Sequence, residues 1–422
     1  MSYTIAGIDV HKSVLMVVVA DVSEAELHFE RRRFGATTSE LVALAAWLRQ
    51  RAVQEAVMES TAQYWKPVWL ALEPDLALHL AQAQSNRAPG GRKSDFRDAE
   101  RLLRRLVTEE LFLSYVPDPE QRIWRTLTRS KLQLVRERVR LQSQVEALLE
   151  EGRIRLSSLI GDLFGMSGQR ILHALADGEA DPQRLAGLGD RRLHASREEL
   201  ADALNGTLGT AHRAILKLFL QRVELLDQQI VTLNQLAADR LRVHQDAVER
   251  LAAVPGPGVD SAQQILAEVG PTAQAFPTAD QLCSWVGVCP GSNESAEHNR
   301  SGRRAKGNRY LRRILCQAAQ AAVKSDGTYL QSLFRRLLPR LGYVKAIWAI
   351  AHRLSRIVWK IPHQGAACIE YGQLGTPEVR KRRARKMVLA LKRLGYTVQI
   401  SPAPTAPAAG RLSCERLCRA NR

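Results

Sequence analysis

Four acidic residues in the first hundred positions have the types and spacing expected of a site for phosphate chemistry. Asp9 lies within the apolar run from Tyr3 to Val10, and Glu59 ends a second apolar run. Asp95 and Asp98 stand three residues apart, which places both on one face of a helix. A carboxylate in a buried strand is costly unless its charge is compensated. A hard divalent cation such as Mg²⁺ or Mn²⁺ compensates several carboxylates at once, so the pattern predicts metal-dependent phosphoryl transfer.

The pair Asp95 and Asp98, taken alone, is also typical of a solvated first helical turn. Acids near a helix N-terminus are favoured by the macrodipole, and Ser94 is available as the N-cap. The metal-site interpretation gains weight only when Asp9 and Glu59 are considered with the pair.

The composition indicates a globular protein with a polyanionic partner. Of 422 residues, 45% are hydrophobic and 25% charged, and 61 Lys and Arg against 43 Asp and Glu give a net charge of +18. This surplus favours nucleic acid over a membrane surface, with a merely basic protein as the alternative. The apolar stretch from Val14 to Ala20 is too short to span a bilayer. We therefore expect no membrane partner and a cytoplasmic location.

Residues 1–120 alternate between strand-like and helix-like patterns, which predicts an α/β layer that carries all four acids. The predicted strands are Ile5–Val10, Val14–Val22, Val53–Met58 and one within Asp75–Ala83. The predicted helices are Ser39–Arg51, with Ser39 as N-cap, and Ala62–Leu72.

Residues 121–250 contain two apolar seams with seven-residue periodicity. The first consists of Leu127, Leu134, Leu141 and Leu148 with Val145 between them, and the second of Phe219, Val223, Leu226, Ile230, Leu233 and Ala237. Such seams predict two long coiled-coil helices. The helices can pair with each other or with a second copy of the chain, and the sequence favours neither arrangement. A homo-oligomer, dimer or tetramer, is expected.

Residues 251–345 are predicted to form a mainly helical domain that begins with a helix–hairpin–helix. In Val254-Pro-Gly-Pro-Gly258, Gly256 and Gly258 leave backbone N–H groups open, and a helix N-terminus beyond such a turn binds phosphate without reading sequence. A plain interhelical turn is the alternative. Residues 346–422 form a basic C-terminal extension whose tail is predicted to be disordered.

Small polar residues alternate with cations between Trp285 and Arg313. The predicted nucleic-acid contacts are Arg300, Arg303, Arg304, Lys306 and Arg309. A hydroxyl among cations suits attack on a phosphodiester, because positive charge stabilises the developing oxyanion. The candidate hydroxyls are Ser292, Ser295 and Ser301, and composition does not choose among them.

Three acidic motifs carry a resemblance to a known family. Ile8-Asp-Val-His-Lys12, Met58-Glu-Ser-Thr61 and Lys93-Ser-Asp-Phe-Arg-Asp-Ala99 resemble the motifs of the DEDD insertion-sequence transposases. That family includes the Piv DNA invertase, and its first domain is similar to the RuvC Holliday-junction resolvase. The resemblance implies a ribonuclease H-like N-terminal domain in which Asp9, Glu59, Asp95 and Asp98 are the metal-binding tetrad. Lys12 and Lys93 are candidate phosphate contacts.

The stretch from the hairpin to Arg313 resembles the C-terminal domain of the same transposases. In that domain a serine after a Val-Gly-x-x-Pro motif is the nucleophile, and Ser295 matches it, although Ala296 stands where many relatives have glycine. The resemblance implies strand exchange of an insertion element through a phosphoserine intermediate, with acids of one subunit and the serine of another. It also implies a structured, element-encoded RNA that pairs with donor and target DNA.

Two other functions remain as alternatives. A metal-dependent Holliday-junction-type nuclease would use the acids alone and leave free DNA ends, but it gives the serine-bearing domain no role. A non-catalytic nucleic-acid-binding protein accounts for the charge and the coiled coil, but it leaves the buried acids unexplained.

Overall fold

The computed structural model describes residues 3–22, 27–83, 95–290, 294–295, 298–299, 306–369, 384–385, 387–389, 391–393, 397–399 and 411–413. The chain divides into two compact units, Met1–Pro117 and Asp118–Arg422. Several predicted features lie outside the described residues: Lys93, Ser94, Ser292, Arg300, Ser301, Arg303, Arg304 and the Pro/Ala-rich tail at residues 401–410.

The first unit is built on a mixed five-stranded sheet with the order β3-β2-β1-β4-β5. Its strands are β1 (Thr4–Val10), β2 (Val14–Asp21), β3 (Glu30–Gly35), β4 (Val53–Glu59) and β5 (Ala77–Ala81). The central β1 is antiparallel to β2 and parallel to β4. Every residue of β1 is buried, because helices cover both faces of the sheet.

The two faces of β1 pack against different helices. Ala6, Ile8 and Val10 join the apolar core under α1 (Thr38–Gln50) and α2 (Trp65–Leu72). Ile5 packs on the opposite face with Ala99 and Leu103 of α3 (Asp95–Val107). Since side chains alternate along a strand, Asp9 lies on the α3 face with Ile5 and Gly7.

The predicted elements of this unit are present, with shifted ends and one additional strand. The first helix begins at Thr38 after Thr37, so Ser39 is not its N-cap, and the second begins at Trp65 rather than Ala62. The strand β3 was not predicted. Its first four residues, Glu-Arg-Arg-Arg, are exposed at the edge of the sheet. Charged side chains at an edge disfavour pairing with a further strand. They also remove the alternation of apolar and polar residues by which a strand is recognised in a sequence.

Two long helices, α4 (Pro119–Glu151) and α8 (Thr210–Leu241), pack against each other in the second unit. They run antiparallel, because Glu151 bonds His212 at one end, Arg138 bonds Asp227 in the middle and Glu120 pairs with Arg240 at the other end. The two seams therefore meet within one chain.

Three further helices complete this half of the unit: α5 (Met166–Asp177), α6 (Pro182–Ala186) and α7 (Arg197–Ala203). Their apolar residues share a core with Leu141, Val145 and Leu148 of α4 and with Leu220 and Val223 of α8.

The remaining helices are α9 (Gln245–Ala252), α10 (Val259–Val269), α11 (Ala279–Val286), α12 (Arg309–Ala322) and α13 (Tyr329–Gln364). Two small sheets accompany them, β6 (Glu294–Ser295) with β7 (His298–Asn299), and β8 (Ala367–Ile369) with β9 (Arg411–Ser413). The helix α13 is kinked at Gly342. Within the described parts of the chain, none of the helices combines the length and apolarity needed to cross a bilayer. A five-stranded mixed sheet followed by mostly helical structure fits the predicted ribonuclease H-like domain and helical remainder.

Candidate active site

The acids of α3 reach Asp9 because Gly7 allows the helix to approach the sheet closely. A Cβ atom at position 7 would collide with the carbonyl oxygen of Ala99. Without that atom, α3 crosses directly over β1, and its first turn, with Asp95 and Asp98, lies near the end of the strand. The close packing of one helix on one strand therefore positions three of the four predicted acids.

Asp9, His11 and Asp95 form a compact cluster of potential metal ligands. Their donor atoms all lie within 4.8 Å of one another. The His11 Nε2 atom is 3.1 Å from Asp9 Oδ2 and 3.9 Å from Asp95 Oδ1. Asp98 lies close by, and its Oδ1 atom accepts a hydrogen bond of 2.6 Å from Arg101.

Glu59 lies at the same end of the sheet as Asp9. The parallel register pairs Ile8 with Met58, so the next residue of each strand is an acid. Glu59 also pairs in register with Ala81 of β5, and it is half-buried. The two strands thus present Asp9 and Glu59 from neighbouring positions.

The electrostatics of this cluster favour a cation. Burial raises the pKa of the Asp9 carboxyl above its ordinary value; the His11 charge opposes this, and the charges of Asp98 and Asp95 raise it further. Asp9 is only 8% exposed, so ionising it among other carboxylates is costly without a positive partner. Buried, mutually repelling carboxylate oxygens are suitable ligands for a divalent ion, and the donor set fits such an ion.

The segment that carries Ser295 begins and ends at one place in the second unit. The Asn308 N–H donates to the Trp285 carbonyl oxygen at 2.9 Å. Gly307 fits directly against the backbone of Val286, where a Cβ atom would collide. Between Val286 and Gly307, the backbone pairs Ser295 with His298 in the short β6–β7 sheet.

A buried carboxylate anchors the C-terminal end of this segment, at Asn308. The Glu268 side chain is 2% exposed and accepts two hydrogen bonds of 2.8 Å from Arg129 of α4. Asn308 donates to the same carboxylate at 2.7 Å, while its own oxygen accepts from the N–H groups of Tyr310 and Leu311 and caps α12. One acid thus connects α4, α10 and α12.

Replacing Glu268 with alanine should destabilise the second unit by about 3–5 kcal/mol, because it removes a buried carboxylate that pairs with the buried Arg125 and the partly exposed Arg129. Thermal unfolding of the full chain measures this. The control is Glu249→Ala, at an exposed residue of α9 whose side chain accepts a hydrogen bond from Gln245 one turn earlier, which should change stability by less than about 0.5 kcal/mol. Equal effects of the two variants would contradict a central role for Glu268.

Two of the predicted nucleic-acid cations are described, and both are exposed at the start of α12. Lys306 precedes the helix, and Arg309 lies over the Tyr310 ring at 4.9 Å, donating to its hydroxyl at 2.9 Å. Arg313, further along α12, is partly buried, and its Nε atom has no hydrogen-bond partner among the described residues. Burial and the nearby charge of Arg136 lower the pKa of Arg313.

The two hairpin glycines have different surroundings. Gly256 has a φ of +117°, and a Cβ atom there would collide with the Ala318 carbonyl oxygen of α12. Gly258 is exposed, precedes α10 and has open space where its Cβ would be. Gly256 therefore allows the turn to pack closely against α12, whereas Gly258 leaves the N-terminus of α10 accessible.

Sequence reasoning did not identify His11 and Glu268 as members of the site. His11 had a usable signal, because it follows Asp9 by two residues and comes directly after the strand that ends at Val10. Glu268 had none, since its partner Arg129 is 139 residues away in the chain.

Comparisons with known proteins match two segments of the chain to transposase family models and find one similar insertion-element protein. Residues 6–153 match the DEDD transposase family of IS110-type elements, and residues 248–335 match the transposase IS116/IS110/IS902 family. Over 142 residues the chain is 28% identical to the insertion element IS900 42 kDa protein of Mycobacterium paratuberculosis. That alignment covers 33% of this chain and 35% of the relative, so the chain matches about a third of the relative's length. The matched segments contain the four predicted acids and Ser295.

Proposed function

We propose that this chain is a recombinase that cuts and rejoins DNA strands to move its own insertion element, through a phosphoserine intermediate. The observation that carries this proposal is the convergence of Asp9 and Asp95, with Asp98 beside them, at one end of β1. This cluster lies within the segment that matches DEDD transposases, and Ser295 lies within the second matched segment.

The four acids are the residues that would hold a divalent cation. Asp9, Glu59, Asp95 and Asp98 would bind Mg²⁺ or Mn²⁺, and the ion would supply Lewis-acid stabilisation of the charge that develops on a phosphate. Asp9, held on a buried strand, orients the site, and Arg101 fixes one oxygen of Asp98.

Ser295 is the nucleophile. Its hydroxyl loses a proton as the Oγ–P bond forms, and the bond from phosphorus to the leaving deoxyribose oxygen breaks as that oxygen takes up a proton. The phosphate remains as a serine ester, so a hydroxyl of the new strand can reverse the step and rejoin DNA without an external energy source.

Backbone contacts supply nucleic-acid affinity without sequence readout. Lys306 and Arg309 at the start of α12, with Arg300, Arg303 and Arg304, neutralise phosphates, and the exposed turn at Gly258 offers the N-terminus of α10. Sequence recognition is assigned to a structured RNA encoded beside the gene, which base-pairs with donor and target DNA while the protein contacts backbone and shape.

A homo-oligomer is supported by a second apolar stripe on α8. Ile215, Leu218, Leu225 and Leu236 follow one another at coiled-coil intervals and are 39–60% exposed. They lie on a different side of α8 from Leu220 and Val223, which pack inside the chain. A stripe with this period fits the same stripe of a second copy.

Introducing charge into this stripe should dissociate the oligomer. The double variant Leu218→Lys, Leu225→Lys should sediment at a smaller mass than the wild type, because lysines at seam positions repel across the interface. Val231→Lys is the control, since Val231 is 53% exposed like Leu225 but faces away from the stripe. A wild-type monomer, or an unchanged mass in the double variant, would refute this interface.

The function is tested by incubating the full chain with the DNA that flanks its gene, the adjacent transcript and Mg²⁺. A denaturing gel should show DNA attached to protein, and the attached peptide should contain Ser295. Free DNA ends with no covalent species would instead indicate a metal-dependent nuclease, and binding without any cleavage would indicate a non-catalytic protein.

A further inference from the structure

We propose that His11 is an additional ligand of the cation held by Asp9 and Asp95, and that its imidazole makes this position select Mn²⁺ over Mg²⁺. The inference rests on the metal site of the proposed function and adds to it a nitrogen ligand and a metal preference.

The backbone places His11 at the cluster. It follows Asp9 by two residues, directly after β1 ends at Val10, and its Nε2 atom lies 3.1 Å from Asp9 Oδ2. The His11 N–H donates to the Val14 carbonyl oxygen at 3.0 Å, which closes the tight connection to β2. The backbone of His11 is therefore fixed in the turn between β1 and β2, beside Asp9.

The distances suit ligation of one ion. In an octahedral site with bonds of about 2.1 Å, adjacent ligand atoms are about 3.0 Å apart and opposite ones about 4.2 Å. The His11 Nε2 atom lies 3.1 Å from Asp9 Oδ2 and 3.9 Å from Asp95 Oδ1. Both separations fall within that range, so the three side chains need little rearrangement to share an ion.

A second histidine of the same sheet shows what an ordinary ion pair looks like. His79 Nε2 lies 2.9 Å from Glu55 Oε2, which is its one carboxylate partner among the described residues. His11 instead faces two carboxylates, with Asp98 close enough to raise the pKa of Asp9. About half of the His11 and Asp95 side chains is exposed, at 47% and 50%, which leaves room for water molecules to complete the coordination of an ion.

The donor set decides the preferred metal. Carboxylates and water suit Mg²⁺ and Mn²⁺ alike, whereas imidazole is a borderline donor that binds transition ions better than Mg²⁺. Mn²⁺ combines both tendencies, since it accepts carboxylates in octahedral geometry and also accepts a nitrogen. Removing His11 should therefore weaken Mn²⁺ binding much more than Mg²⁺ binding.

The test uses the metal-free full chain titrated with Mn²⁺ alone and studied by pulsed electron paramagnetic resonance. Bound Mn²⁺ should show coupling to a directly bonded ¹⁴N nucleus in the wild type and in His79→Ala. This coupling should vanish in His11→Ala and in His11→Gln. Calorimetry should show Mn²⁺ affinity falling about tenfold or more in both His11 variants, with a smaller change for Mg²⁺ and none in His79→Ala.

The outcomes separate this inference from the proposed function. If Mn²⁺ binds without ¹⁴N coupling, or if the coupling survives in both His11 variants, His11 is not a ligand, and the carboxylate site stands if Asp9→Asn abolishes binding. If wild type and Asp9→Asn bind Mn²⁺ equally, the metal site itself fails. Circular dichroism of the variants reports whether each is folded.

Discussion

The variant Ser295→Ala should form no covalent protein–DNA species and should lose strand exchange to below about a thousandth of the wild-type rate. Alanine removes the oxygen that forms the bond to phosphorus, and water cannot preserve the ester that rejoining requires. Nucleic-acid affinity should remain near the wild-type value, because the proposed contacts come from cations and from the N-terminus of α10. Gel-based exchange assays and filter binding at one fixed salt concentration measure the two quantities.

Matched controls are available within the same segment. Ser292→Ala and Ser301→Ala remove a hydroxyl from positions 292 and 301 of the same cationic stretch and should keep the covalent species. Recombination by Ser295→Ala would show that the nucleophile is wrong, and an attached peptide that maps to Ser292 or Ser301 would identify the correct one.

The variant Asp9→Asn should lose strand exchange to a similar degree and yet melt at a higher temperature than the wild type when divalent metal is removed. The amide keeps the size of the carboxylate and its ability to bond His11. It removes the buried charge that Asp98 and Asp95 oppose. Function and stability should therefore change in opposite directions.

The sign follows from proton linkage. The pKa of Asp9 is raised in the folded state, so between its ordinary and raised values the folded chain binds more protons than the unfolded chain. Wild-type stability then falls as pH rises through that interval. The asparagine variant has no carboxyl at position 9 and therefore lacks this pH dependence. The melting advantage of Asp9→Asn should be absent at acidic pH below the ordinary carboxyl pKa and should be complete at neutral pH.

Adding Mg²⁺ or Mn²⁺ should raise the melting temperature of the wild type above that of Asp9→Asn, because an ion that binds only the folded wild type stabilises it by mass action. Asp75→Asn is the control, since Asp75 makes an exposed ion pair with Arg49, and its loss should lower stability by less than about 1 kcal/mol. A lower melting temperature for Asp9→Asn in chelator would mean that the cluster is not electrostatically strained.

The elements that hold the acids were predictable because their signals are local. The strands β1, β2 and β4 are apolar runs, and their predicted bounds lie within a few residues of those observed. The edge strand β3 is charged, and α6 and α7 are short. Such elements lack the sustained periodicity on which prediction from sequence depends.

The sequence by itself determined the chemistry that this chain offers: carboxylates at the ends of apolar strands, a serine among cations and two heptad seams. These features follow from residue type and spacing, so they can be recognised without knowing which distant residues are in contact. The tertiary structure decided that α4 and α8 pair within one chain, that Gly256 packs closely against α12 and that Glu268 anchors the serine-bearing segment. It also brought Asp95 to Asp9. Each of these depends on groups that are far apart in the chain, or on which side of an element faces its neighbour, and folding brings such groups together by burying surfaces that no local pattern specifies.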